Sequence, residues 1–169
     1  MSPVTPVGIT ELEAGVLARL AAKIDDYGVE AYPDKPETHK LRHQRGAFLV
    51  AYRGADYDAV EDTGDVVQTR RMLIDVVTEC RQLSGHDGAY VMLELARVTL
   101  AGWRIAGFTK LSLVRERFLN RGEGVWLYAQ TFATTTVAVE LPDDEELGPV
   151  LERLRLESTY TISEIPTPP

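Results

Sequence analysis

The chain has little of what most enzyme chemistry needs. One cysteine, Cys80, stands among 169 residues, so no internal disulfide can form and a paired-cysteine metal site is excluded. There are only three histidines. The glycine-rich phosphate cradles GxGxxG and GxxxxGK(S/T) are missing, as are the GxSxG nucleophile elbow and the HExxH zinc motif. No apolar run approaches the roughly 20 residues that span a bilayer. The opening Met1-Ser2-Pro3-Val4 has neither the basic nor the apolar region of a secretory signal. Together these absences predict a soluble, non-enzymatic protein made in the cytoplasm, with no cofactor, no metal and no membrane partner. Positive charge is also short: 18 Lys and Arg face 26 Asp and Glu, a net charge of −8. Such a chain gains nothing from counterion release on nucleic acid, although it can line a channel through which DNA slides.

What is present is ordinary for a folded domain. The hydrophobic fraction is 44% and the charged fraction 26%, and 169 residues suffice for one unstapled core. Residues 1–9 read as a flexible arm, 10–165 as a single domain and 166–169 as a loose tail. Thr10 followed by Glu13 predicts a capping box, and Leu12, Val16, Leu17, Leu20 and Ile24 then fall at helical spacing. Residues 29–32 predict a short strand, 33–44 a loop, 47–52 a strand buried on both faces, and 53–65 an acidic loop. In 66–81 the alternation places Met72, Ile74, Val76, Thr78 and Cys80 on one strand face. Ala89, Met92, Leu93, Ala96, Leu100 and Trp103 line a second helix, capped from within 84–87. Strands follow at 111–119 and 125–141 around a glycine-rich turn, then a short helix over 142–154 and a strand at 160–165. The fold class is α+β: a mostly antiparallel twisted sheet, two main helices on one face and a long protruding hairpin.

Each candidate for chemistry has a plain alternative. Cys80 reads as a buried structural thiol. His39 and His43 have metal-ligand spacing on a helix, but they follow two prolines in a loop and lack a third ligand. The carboxylates Asp56, Asp58, Glu61, Asp62 and Asp65 do not fit a calcium loop and read as a solvated, lumen or neighbour loop. Arg115 and Arg117 share one strand side and suit an interface or surface pairs. Trp126, Tyr128, Gln130 and Phe132 share one face, either core or an aromatic interface patch. The strand that bears them could extend to roughly 50 Å, so it must bend, bulge or reach over a neighbour.

Several stretches taken in order carry a resemblance. They are Thr10-Glu11-Leu12-Glu13; Arg45-Gly46-Ala47-Phe48-Leu49-Val50-Ala51-Tyr52; Gln68-Thr69-Arg70-Arg71 running into Val76-Val77; the helix ending at Gly102-Trp103; and Arg115-Glu116-Arg117-Phe118 to Trp126-Leu127-Tyr128. Over residues 10–142 the chain resembles the tail terminator, or tail completion, proteins of Mu-like prophages. The resemblance implies a virion protein assembled in the host cytoplasm as a homohexameric ring. That ring caps the tail tube, stops its polymerisation, and meets head-completion proteins and, in contractile tails, the sheath. DNA passes through its lumen without specific binding. The runner-up expectations are another ring-forming neck protein, a connector or stopper, and a small monomeric adaptor.

Overall fold

The computed structural model describes residues 8–60 and 66–140. In chain order these form α1 (Ile9–Lys23), β1 (Gly28–Ala31), β2 (Ala47–Tyr57), β3 (Val67–Cys80), α2 (Ala89–Leu100), β4 (Ser112–Gly122) and β5 (Val125–Val139). One five-stranded sheet has the order β1-β2-β3-β5-β4. Only β1 and β2 are parallel; the other three pairings are antiparallel. The architecture is α+β, as the alternating patterns predict.

The helices form because their apolar positions repeat every three to four residues and can all face one sheet side. Leu12, Val16 and Leu20 of α1 are buried, as are Ala89, Met92, Leu93, Ala96 and Leu100 of α2. They pack with Phe48, Val50, Met72, Ile74, Val76, Cys80 and Phe132 in the main core. The predicted alternation of β3 is therefore the observed one. The cap of α1 differs. Gly8 is the N-cap, and the Glu11 carboxylate accepts its backbone N–H at 2.6 Å; this contact, then the backbone N–H of Glu11 itself, hold the Glu11 carboxyl below its usual range. Thr10 is thus already inside the helix. The cap of α2 is likewise Gly88, without a side-chain hydrogen bond.

The opposite, open face is partly covered by the loop 33–44, which contains a single 3-10 turn at Pro36–Thr38. Arg81 ties this loop down by donating to the carbonyls of Leu41, His43 and Gln44. His39 lies 2.8 Å from Glu79. Beneath it Leu49, Val77 and Ala129 form a second small core.

Two expectations about length are corrected. β2 runs to Tyr57, so Asp56 is a strand residue paired with Arg71 rather than part of a loop; a bulge at Tyr52/Gly54 carries the ladder past Arg53. The β4–β5 hairpin does not protrude. β5 pairs with β3 without a register shift from Trp126↔Cys80 to Val139↔Val67, and only Gly122↔Val125 lies beyond the end of β3. The long strand is accommodated because its neighbour is equally long. The predicted elements at 142–154 and 160–165 lie outside the described residues, as do Glu61, Asp62 and Asp65.

Candidate assembly surface

Among the described residues, the helix layer stops before it reaches β4. Helix α1 packs on β1 and β2, and α2 on β3 and β5. Leu113 still packs against the main core, but the helix-side residues of β4 beyond it are left uncovered by the described residues. Phe118 is 51% exposed although it is a large apolar group. Its ring lies 5.3 Å from that of Tyr128 and 6.0 Å from that of Trp126, and Tyr128 meets Tyr90 of α2 at 6.5 Å. Burial, then the neighbouring Tyr90 and Glu116, push the Tyr128 hydroxyl above its ordinary range. The patch continues along the outer side of α2, where Tyr90 and Val98 are 52% and 60% exposed. Tyr90, Val91, Glu94, Leu95 and Val98 line a shallow depression of about 410 Å³ there. Contiguous apolar surface of this kind marks an interaction site more often than isolated exposed residues do.

The sequence-predicted residues separate into three groups. Trp126 and Tyr128 are half-buried members of this aromatic patch. Gln130 and Phe132 share their face but are fully buried, so they are not contact residues. The reason is α2, which covers the middle of β5: Gln130 donates to the Leu93 carbonyl at 3.0 Å and to Glu116 at 2.8 Å. Arg115 and Arg117 lie on the other side of the sheet. The bulge at Leu113/Arg115 sets them opposite Thr131 and Ala129, residues of the open face. There Arg117 reaches to 3.9 Å from Asp75, which also receives Thr131 at 2.5 Å and Arg53 at 3.4 Å. The two groups named together from sequence therefore form no single patch.

The acidic residues that are described stand at the far end of β2. Asp56 is highly exposed and 4.0 Å from Arg71; Asp58 is exposed just beyond the strand. Exposed Tyr57, Val66, Val137 and Val139 make this end apolar as well. Cys80 is fully buried and donates to the carbonyls of Gln82 and Asp87, with burial raising its pKa. His39 and His43 are placed apart in role: His39 on Glu79, and His43 beside Gly28.

A family model described as Gp37 protein matches residues 16–158. The chain belongs to the Gp37 protein family. The matched span of this Gp37-family chain contains all five strands, α2 and the end of α1, and so includes the aromatic patch and both sheet edges. Among solved structures, the chain is similar to one in the "Virion of native gene transfer agent (GTA) particle", at 14% identity and a TM-score of 0.48; the match covers 79% of this chain and 100% of that one. No curated protein matches.

Tyr90, Val91, Val98 and Phe118 were not singled out from sequence. A signal was available for α2: Tyr90, Val91 and Val98 lie off the stripe of Ala89, Met92, Leu93 and Ala96, so a single buried stripe cannot cover them.

Proposed function

We propose that the chain is a structural protein of a phage-type virion and, within it, the tail terminator: one subunit of a ring that caps the tail tube, ends its polymerisation and joins the tail to head-completion proteins. The observation that carries this reading is the apolar strip of α2 and β4 that the described residues leave uncovered, beside an 11-residue edge strand. A lone monomer has no use for both. The virion setting and the six-fold number come with the sequence resemblance to tail terminators. Ring closure needs a heterologous contact repeated around an axis, burying on the order of 1,000 Å² or more. In this reading Asp56 and Asp58, with Glu61, Asp62 and Asp65, face the lumen or a neighbour, where carboxylates repel passing DNA.

The test is the mass of the purified protein by light scattering, with and without purified tail tube. A hexamer, or a monomer that becomes ring-shaped on tube ends, is the expected result. A monomer that ignores the tube and binds only portal-side proteins replaces the terminator by a connector or stopper. One that ignores both ends the virion reading.

A further inference from the structure

The two edges of the sheet are chemically unlike. Edge strand β4 exposes Arg115 and Arg117, with Lys110 exposed just before it. Edge strand β1 exposes Glu30, and Asp25, Asp26 and Asp34 are exposed on either side of it; Asp26 pairs with Arg45 at 3.1 Å, and Lys35, Lys40 and Arg42 of the following loop line the depression beside Glu30 and Asp34. The register also fixes their faces. Glu30 stands opposite Leu49, and Arg117 opposite Ala129. Leu49 and Ala129 are both members of the open-face core, and Arg115 is two residues from Arg117 on the same side. All three charged residues therefore lie on one face of the sheet.

Direction adds a second match. β1 runs with β2, and each later pairing, β2 with β3, β3 with β5 and β5 with β4, is antiparallel. β1 and β4 thus point in opposite directions. When a second copy continues the sheet in the same orientation, its β1 lies antiparallel to β4. Its Glu30 then falls on the face that carries Arg115 and Arg117.

We propose that the subunits join head to tail, Arg115 and Arg117 on the β4 edge of one copy against Glu30 on the β1 edge of the next. This rests on the ring reading above and names its contact. The alternative for an exposed edge is a two-fold β4–β4 pair. That arrangement keeps Arg115 and Arg117 of both copies on one face, where like charges across strands repel. The two bulges of β4, at Leu113/Arg115 and Phe118/Asn120, and its charges are devices that stop an edge from pairing indiscriminately. They leave it selective for an edge of opposite sign. On the helix side the same placement brings α1 of the next copy towards the gap over Phe118.

Two variants test this, each alone and then mixed: Arg115→Glu with Arg117→Glu, and Glu30→Arg with Asp26→Arg. On the open face each alone carries two edges of one sign, and it stays monomeric under conditions in which the unmodified protein assembles. Mixed in equal amounts they alternate and recover the assembled mass, which also shows that both are folded. Assembly of the unmodified protein weakens as salt rises from 0.05 to about 0.5 M, as screening requires. If the unmodified protein assembles and both variants assemble equally well alone, the edge contact is wrong while the ring stands. If only the arginine variant loses assembly and the Glu30 variant keeps it, β4–β4 pairing or another partner replaces the head-to-tail contact. If the unmodified protein never assembles, with or without tube, the ring reading itself falls and this contact with it.

Discussion

At the scale of single residues, the informative positions are those where a small change of atoms meets fixed backbone. Gly46 has φ 149° and precedes β2, where its carbonyl accepts the N–H of Gly28. A Cβ there would stand 2.6 Å from the Glu79 carbonyl oxygen and 2.8 Å from Met92 Sδ. The backbone dihedral disfavours any side chain, and the nearest atom is backbone that cannot rotate away. Gly46→Ala should cost about 2 kcal/mol or more, seen as a lower urea midpoint with an unchanged slope. A change below about 0.5 kcal/mol would mean that the β2–β3 junction relaxes easily. Gln130 makes the converse point. Its spacing alone leaves core and interface equally open, and it is buried because the Leu93 carbonyl and the Glu116 carboxylate accept its amide protons. Period-2 spacing identifies a face; it does not identify what lies over each position along it.

At the scale of elements, what was legible followed from periodicity and what was not followed from pairing. The stripe from Leu12 to Leu20, the alternation from Met72 to Cys80 and the stripe from Ala89 to Leu100 each depend on side chains alone, and each is observed. The extension of β2 through the carboxylate-bearing Asp56 depends on β3 lying beside it, a long-range fact that local charge conceals. The bulge after Leu113 likewise decides that Arg115 and Arg117 leave the aromatic face, and no spacing rule announces a bulge. The turn between β4 and β5 was recognised from its glycines, but its two-residue form is narrower than expected. Glu123 and Gly124 have φ of 52° and 78°, the positive pair of a type I′ turn, for which Asn-Gly is the preferred sequence. Glu123→Asn should therefore stabilise the protein by a few tenths of a kcal/mol up to about 1 kcal/mol. Gly124→Ala should destabilise it by about 1 kcal/mol. Opposite signs for the two in chemical denaturation of the monomeric form are the expected outcome; equal signs would exclude the primed turn.

At the scale of the whole molecule, stability and assembly rest on different residues, and this separation can be measured. The core beneath α1 and α2 is closed by residues such as Leu12, Met72 and Phe132, which are fully buried. Val98 and Phe118 contribute little to that core because more than half of each remains exposed. Val98→Ser should therefore alter monomer stability by no more than about 0.5 kcal/mol. Phe118→Ser should cost about 1 kcal/mol, because its ring also pairs with Trp126 and Tyr128. Assembly is another matter. A contact of standard size draws most of its energy from a few central aromatic and apolar groups, and these are the uncovered ones beside the β4 edge. The double variant should then melt nearly as the unmodified protein does but fail to reach the assembled mass in light scattering, with or without tube. An intact assembled mass in a variant that has lost both side chains would detach the apolar strip from assembly, leaving the charged edges to hold the subunits unaided. A large drop in melting temperature would instead place Phe118 in the fold itself, as the last member of the core rather than the first member of the interface.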